Sequence, residues 1–86
     1  MKTVNENITT VTVNLNSVDA VKHFCNLASN CDFEIDMISG KYLIDAKSIL
    51  GLFSLDLSKD IKVEIHSEDS KAVEGFLANI KKYIVA

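Results

Sequence analysis

Proline is absent from this chain of 86 residues, and its three glycines are well separated. The absence of proline excludes collagen-like structure. Hydrophobic residues make up 48% of the chain, and this content argues against low-complexity disorder. The separated glycines exclude a glycine-rich loop of the kind that binds phosphate groups. A chain of this length can form one hydrophobic core, so we expect a single domain over residues 1–86.

Arginine is absent as well. All nine basic residues are lysines, and twelve acidic residues outnumber them, which gives a net charge of −3. The bidentate guanidinium group that proteins favour for phosphate and guanine is therefore missing. The adjacent lysines Lys81 and Lys82 end an amphipathic segment, where we expect them to complement a helix C-terminus. These features argue against nucleic-acid binding.

Long hydrophobic runs are also missing. The longest apolar stretches are far shorter than the roughly 20 residues that span a bilayer. Residues 1–7 are too polar for a secretory signal peptide. We therefore expect a cytoplasmic protein without a membrane segment.

The first half of the chain is predicted to contain a strand, a helix and a hairpin. β-Branched residues are frequent at 8–15, which favours a strand. A capping signal at 16–17 precedes apolar residues at three- and four-residue spacing, which indicates a helix of about three turns. Apolar and polar residues alternate over 33–38, and the turn signal at 39–41 predicts a hairpin with a strand at 42–45. The helical stripe consists of Val18, Val21, Phe24, Cys25, Leu27 and Ala28.

The second half is predicted to contain a short helix, a strand and a longer helix. Residues 47–55 are apolar but too closely spaced for alternation, so we predict a helix of two turns. Residues 56–59 are polar and indicate a loop, and alternation over 61–66 indicates a strand. Apolar residues at helical spacing continue over 72–84, after an acidic start at 68–69 that suits a helix N-terminus.

The predicted element order is β-α-β-β-α-β-α. Because each helix has one apolar face and the strands alternate, we expect the helices to pack on one side of an antiparallel sheet. The predicted fold class is therefore α+β, a two-layer open-faced β-sandwich with a four-stranded sheet covered by three helices. The pattern does not determine the order of the strands within the sheet.

The run from Phe24 to Lys82 resembles HPr, the histidine-containing phosphocarrier protein of the bacterial phosphoenolpyruvate-dependent sugar phosphotransferase system. The segment 46–55 (Ala-Lys-Ser-Ile-Leu-Gly-Leu-Phe-Ser-Leu) aligns with the regulatory-serine segment of that family without a gap. The preceding hairpin and the Ser67-Glu68-Asp69 entry into the last helix also align without insertion. The element order matches the open-faced sandwich of the HPr family.

In the HPr family a His-x-Arg-Pro motif, or a close variant, opens the first helix. Its histidine accepts phosphate from enzyme I and passes it to sugar-specific IIA proteins. Extending the alignment back from Phe24 without a gap places Ser17, Asp19 and Ala20 at the histidine, arginine and proline positions. A serine phosphate ester is too stable for a relay, and Asp19 repels an incoming phosphoryl group. We interpret these positions as a degenerate acceptor site without a catalytic residue.

An active sugar-transport phosphocarrier with a displaced acceptor, His23 or Ser17, is the alternative. His23 lies about 9 Å further along the helix axis than Ser17, because each residue adds about 1.5 Å, and it is turned away from the N-terminal amides. A solvated histidine on the helix surface is the simpler interpretation. His66 ends the last predicted strand, where we expect a loop-edge residue with no special role.

Ser48 is a candidate for regulatory phosphorylation. In the HPr family of many Gram-positive bacteria, a dedicated kinase phosphorylates the matching serine, and the product acts in carbon catabolite control with a repressor partner. The residue also suits the N-cap of the short helix. The two roles are compatible, because a phosphate is electrostatically favoured at a helix N-terminus.

Ile49, Leu50 and Phe53 match positions that present an apolar surface to partner proteins in the HPr family. With Leu52 and Leu55, they give the short helix more apolar residues than one face can hold, so some must be exposed. We therefore predict that Ile49, Leu50 and Phe53 bind partners. The resemblance implies enzyme I, IIA proteins and HPr kinase as candidates.

The remaining side chains indicate neither a metal nor a cofactor. Cys25 and Cys31 are six residues apart, and free thiols are the expected state in a cytoplasmic chain. Together with His23 they match no zinc-ligand spacing, and no fourth ligand is evident. The carboxylate pairs at 34/36 and 68/69 are expected to be solvated or to favour a helix start. We expect no self-contained enzyme.

Three functional hypotheses remain. The leading one is a monomeric HPr-like protein that has lost its phosphorylatable histidine and acts as a regulatory or docking module. The second is an active phosphocarrier with a displaced acceptor. The third is an HPr-like scaffold for protein association unrelated to sugar transport.

Overall fold

The computed structural model describes residues 8–86, so the prediction for residues 1–7 lies outside the described part. The helices and strands confirm the predicted order β-α-β-β-α-β-α, and a short 3₁₀ helix follows the last α-helix. The elements are β1 (Ile8–Val13), α1 (Val18–Ser29), β2 (Glu34–Ser39), β3 (Tyr42–Asp45), α2 (Ile49–Phe53), β4 (Ile61–His66), α3 (Ser70–Asn79) and the 3₁₀ helix (Lys81–Tyr83).

The four strands form one antiparallel sheet in the order β1-β4-β2-β3. The strand β4 therefore lies between β1 and β2, although it follows both in sequence. In this register Glu64 lies opposite Thr10 on one side and opposite Asp36 on the other. Strand order is the feature of the sheet that the periodicity left open.

The helices cover one face of the sheet, which confirms the predicted two-layer α+β class. On β4, Ile61, Val63 and Ile65 are completely buried, whereas the alternating Lys62 and Glu64 are exposed or half-buried on the other face. Burial of the alternate apolar side chains supplies most of the favourable free energy of this packing. The completely buried large side chains are Val13, Leu15, Val21, Phe24, Ile35, Met37, Leu52, Ile61, Val63, Ile65 and Ile80.

The short helix α2 is shorter than predicted. It begins after Ser48, whose Oγ accepts a hydrogen bond from the Gly51 amide, and it ends at Phe53 instead of extending over 47–55. At its end, the Ser54 amide donates to the Gly51 carbonyl at 3.1 Å, and the Ser54 hydroxyl donates to the same oxygen at 2.6 Å. Two hydrogen bonds to one carbonyl tighten the last turn and stop the helix.

The ends of β1 and α3 also differ from the prediction. Strand β1 ends at Val13, and α3 ends at Asn79 although apolar residues at helical spacing continue to Ile84. Ile84 instead forms a β-bridge with Val13, and the Val85 amide donates to the Thr12 carbonyl at 2.8 Å. The unpaired edge of β1 offers backbone hydrogen bonds that compete with a longer helix.

Because α3 ends early, the basic pair of residues 81–82 lies in the 3₁₀ helix and not in the last turn of α3. The two lysines therefore lie in the last turn of the 3₁₀ helix, and the last turn of α3 contains no basic residue. Over the described range 8–86, no helix has the length and apolar character needed to cross a membrane.

Candidate functional site

The start of α1, where the acceptor motif of the HPr family aligns, is a capped helix N-terminus. Ser17 has extended backbone angles, and its Oγ accepts a hydrogen bond from the Ala20 amide at 3.1 Å. The Ser17 carbonyl accepts from the Val21 amide at 3.1 Å. The hydroxyl is thus engaged as the N-cap of the helix.

Asp19 lies in the first turn of α1 and is exposed. Its carboxylate interacts favourably with the positive end of the helix dipole. A phosphoryl group would use the same electrostatic position, since helix N-termini bind anions through their free amides. The carboxylate therefore opposes a second anion at this helix start.

An open depression of about 360 Å³ lies beside the start of α1. The His23 side chain lines this depression one and a half turns further along the helix. Its Nδ1 lies 2.7 Å from the Tyr83 hydroxyl. The two rings are in edge contact, with centroids 5.8 Å apart. Lys82 Nζ lies 5.4 Å from the centroid of the Tyr83 ring. The lining residues are Ser17, Asp19, Ala20, His23, Lys82 and Tyr83.

His23 is exposed, as expected for the helix surface, but Tyr83 holds its ring. Partial burial raises the pKa of the Tyr83 hydroxyl. A phenol hydroxyl can donate or accept in this bond. The tautomer of His23 decides which ring nitrogen has a free lone pair. The sequence did not indicate that Tyr83 and Lys82 lie beside His23, because 60 positions separate His23 from Tyr83.

Ser48 is exposed at the N-cap of α2. Its Oγ accepts from the Gly51 amide at 3.2 Å, and its own amide donates to the Asp45 carbonyl at 2.9 Å. The Asp45 carboxylate accepts from the Lys47 amide at 2.8 Å. These bonds hold the turn before α2 and leave the Ser48 side chain at the surface.

The Lys47 ammonium group is directed away from this turn. Its Nζ donates to the Cys31 carbonyl at 2.8 Å, beyond the end of α1. The cation therefore links the turn before α2 to the segment that follows α1.

The short helix α2 divides its apolar residues between core and surface. Leu52 is completely buried and Leu55 nearly so. In contrast, Leu50 is 80% exposed, Phe53 39% and Ile49 36%. We refer to Ile49, Leu50 and Phe53 as the α2 apolar surface.

The open face of the sheet holds a cluster that the sequence analysis did not identify. His66 Nε2 lies 3.1 Å from an Asp36 carboxylate oxygen and 3.8 Å from a Glu64 carboxylate oxygen. The sequence analysis placed His66 at a loop edge and Asp36 in solvent, whereas the structure pairs them on neighbouring strands. The antiparallel register of β2 and β4 is the cause, and sequence spacing does not reveal it.

Both cysteines are free, with Cys25 buried and Cys31 half-buried. Burial is the main cause that raises the pKa of the Cys31 thiol, and the Asp32 charge adds to it while Lys47 opposes it. The Cys31 Sγ lies 3.5 Å from the Leu27 carbonyl. Within residues 8–86, the close group of metal-ligating side chains is Asp36, Glu64 and His66, and it does not include His23 with the cysteines.

The four-stranded sheet with helices on one face defines the protein as a two-layer open-faced sandwich. A family model described as the phosphorylation site of the phosphotransferase-system HPr component matches residues 10–85. The chain belongs to the HPr family. Members of this family are phosphocarrier proteins rather than enzymes, and they interact with phosphotransferase-system proteins such as enzyme I and IIA proteins.

Two solved structures have similar folds. HPr-C-His from Thermoanaerobacter tengcongensis is 21% identical, with a TM-score of 0.68 over 88% of this chain and 92% of that one. A phosphocarrier protein HPr from Bacillus anthracis strain Ames is also 21% identical, with a TM-score of 0.61 over 88% and 98%. A comparison with curated proteins finds no match. At this identity the two structures support the fold, and the family model carries the family assignment.

Proposed function

We propose that this chain is a regulatory or protein-docking member of the HPr family that does not carry phosphate on a histidine at the start of its first helix. It acts in the cytoplasm as a monomer, within the phosphotransferase system or carbon catabolite control. One contrast supports this proposal: the aligned acceptor position is a capping serine beside Asp19, while the α2 apolar surface is exposed.

The chemistry at Ser17 disfavours a relay. A phosphoryl group on the serine oxygen forms a stable ester, and this oxygen is already engaged in the bond to the Ala20 amide. The added charge of about −1.5 to −2 would stand beside the Asp19 carboxylate. The stability of the ester slows onward transfer, and the repulsion between the two anions disfavours formation of the phosphorylated serine.

The α2 apolar surface suits a protein partner. Leu50 is nearly as accessible as in an unfolded chain, and burial of such a side chain contributes about 1.5–3 kcal/mol. Enzyme I, IIA proteins and HPr kinase are the candidate partners, since the family interacts with proteins of this system.

Phosphorylation of Ser48 is the proposed control of docking. The hydroxyl is exposed and directly precedes Ile49, so a phosphate there would place about −1.5 to −2 charges at the edge of the α2 apolar surface. Such a charge weakens an apolar contact and favours a partner with basic groups.

Intact-mass analysis with enzyme I and phosphoenolpyruvate tests the loss of the carrier function. We expect no added phosphate under conditions that phosphorylate an active HPr. The triple variant Ser17→His, Asp19→Arg, Ala20→Pro restores the family motif, and we expect it to gain an acid-labile phosphate. An acid-labile phosphate on the unaltered chain would contradict the proposal.

A displaced acceptor is the second candidate function, because His23 shares the depression with Ser17, Lys82 and Tyr83. If His23 accepts phosphate, His23→Gln abolishes the acid-labile product and Ser17→Ala leaves it unchanged. If Ser17 accepts it, the product is acid-stable, Ser17→Ala abolishes this product and His23→Gln leaves it unchanged. Fragmentation of the phosphorylated chain maps the site directly.

Binding measurements with Leu50→Ala test the docking surface. We expect the affinity for a partner to fall by roughly tenfold or more, because a central apolar anchor is lost. Leu43→Ala is the matched control, since Leu43 is also an exposed leucine (63%) but lies on β3. Equal losses in both variants would contradict a specific role for α2.

Incubation with HPr kinase and ATP tests Ser48, again by intact mass. One phosphate that Ser48→Ala removes would support the regulatory role, whereas an unmodified mass beside a phosphorylated control HPr would leave Ser48 as a helix cap.

Co-purification addresses the scaffold hypothesis. Recovery of partners that all lie outside sugar transport would favour that hypothesis over both others.

A further inference from the structure

We propose that His66, Asp36 and Glu64 form a binding site for a divalent transition-metal ion of the zinc type on the open face of the sheet. The site lies on the face of the sheet that the helices leave uncovered, whereas α1 and α2 pack on the other face. It is therefore independent of the proposed docking function.

The distances between the ligand atoms fit one shared ion. Zinc ligands lie about 2.1 Å from the metal, so neighbouring ligand atoms lie about 3.4 Å apart in a tetrahedron and about 3.0 Å apart in an octahedron. His66 Nε2 lies 3.1 Å from Asp36 and 3.8 Å from Glu64. All three ligand atoms lie within 4.8 Å of one another. Small side-chain rotations are enough to bring them to one coordination sphere.

The strands hold these ligands in place. Asp36 on β2 lies directly opposite Glu64 on β4, and His66 is the next residue of β4 on the same face. The intervening residues Ile35 and Ile65 are opposite each other and completely buried in the core. Cross-strand neighbours of this kind have fixed spacing, so the site needs little reorganisation to bind an ion.

The sheet register places a further carboxylate, that of Asp45, in line with two of the proposed ligands. Asp36 lies opposite Glu64 on one side and opposite Asp45 on the other, so three neighbouring strands place carboxylates in one row. Like charges directly opposite in a sheet are destabilising, and a bound cation offsets this cost. Lys47 lines a shallow pocket with Glu34, Asp36 and Asp45, but its ammonium group donates to the Cys31 carbonyl.

The donor set selects the class of ion. An imidazole nitrogen with two carboxylates suits zinc and its neighbours in the first transition row, whereas magnesium and calcium prefer oxygen ligands throughout. The side chains of His66, Asp36 and Glu64 are 22%, 20% and 27% exposed. This accessibility leaves room for water to complete the coordination.

Titration of the metal-free chain with Zn²⁺, followed by calorimetry and by amide NMR spectra, tests the proposal. We expect one bound ion, with the largest chemical-shift changes on β2 and β4. Mg²⁺ should bind far more weakly. No saturable binding of Zn²⁺, or shift changes centred on the cysteines, would overturn the proposal.

The variant His66→Gln should weaken Zn²⁺ binding by at least about tenfold, since even loss of an outer-shell partner costs 10–100-fold. His23→Gln is the matched control, because His23 is the other histidine of the chain and lies on α1. Asp36→Asn should weaken binding by a comparable factor, and the NMR spectra verify that each variant is folded. Equal affinities of the His66 variant and the unaltered chain would overturn the proposal.

Discussion

Ser17 and Ser48 perform the same structural task at two helix starts. Each hydroxyl accepts a hydrogen bond from the amide three residues later, at 3.1 Å for Ser17 and 3.2 Å for Ser48. A side chain that caps a helix already contributes to stability, whatever else it does. The change in stability on phosphorylation of either serine therefore has to be compared with the contribution of its helix cap.

At the residue scale, Ser48→Ala should lower the free energy of unfolding by about 1 kcal/mol, because the Gly51 amide loses its side-chain acceptor. Ser48→Asp keeps an acceptor at the N-cap and should retain most of the stability. Urea unfolding of the three proteins measures the difference. Equal losses in both variants would show that Ser48 stabilises the fold by some means other than the cap.

The carboxylate of Asp56 gives a pH-dependent prediction. The hydroxyl and the amide of Ser58 donate to Asp56 Oδ1 at 2.7 Å and 3.1 Å, and these bonds lower the pKa of Asp56 below its ordinary value of 3.8. The charged form is favoured by folding, so the stabilisation is present above the ordinary pKa and is lost as pH falls through the folded value.

Ser58→Ala removes the hydroxyl bond, which is the largest cause of the shift, and should raise the pKa of Asp56 towards 3.8. An NMR titration of the Asp56 side-chain carboxyl carbon measures the change. Ser54→Ala, which lies outside this turn, serves as the control. An unchanged midpoint in Ser58→Ala would contradict the assigned cause.

At the element scale, the helix α2 approaches β3 closely because Gly51 has no side chain. A Cβ at this position would lie 2.6 Å from the Ile44 Cγ2 atom and 3.1 Å from Ser48 Oγ. Ile44 is half-buried and packs against the core. The identity of residue 51 therefore determines how the helix with the apolar surface packs on the sheet.

Gly51→Ala should lower the free energy of unfolding by about 1–3 kcal/mol, since the added methyl group overpacks the contact. Gly75→Ala is the matched control, because Gly75 is also helical and its added Cβ would meet nothing within 4 Å. This control should gain about 0.5–1 kcal/mol from the better helix propensity of alanine. Thermal and urea unfolding measure both changes, and stabilisation by both variants would show that α2 can shift freely.

At the scale of the whole molecule, buried side chains contribute to stability, whereas exposed apolar side chains are available for docking. Leu52 is completely buried between the layers and Leu50 is 80% exposed, although both belong to the same short helix. Leu52→Ala should cost about 2–5 kcal/mol, the range for a buried leucine. Leu50→Ala should change stability by no more than about 0.5 kcal/mol. A large loss for Leu50→Ala in urea unfolding would mean that its side chain supports the fold.

The three-dimensional arrangement explains which expectations failed. Apolar spacing continues to Ile84, yet the chain leaves the helix because β1 offers its edge to residues 84–86. His23 is exposed on the helix surface as expected, but the contact of its Nδ1 with the Tyr83 hydroxyl at 2.7 Å was not expected. In both cases the deciding contact joins parts of the chain that are far apart in sequence.

Local periodicity determined the element types and their order, because the alternation over 61–66 and the stripe that includes Val21 and Phe24 report which side chains must leave water. The run 46–55 and the capping serines likewise indicated the α2 segment and the family. Only the tertiary structure decided that β4 lies between β1 and β2, and that His66 meets Asp36 and Glu64. The physical reason is that the pairing of β4 with β1 and β2 depends on hydrogen bonds between segments distant in sequence, whereas a local pattern such as a turn signal can indicate only the pairing of neighbouring strands.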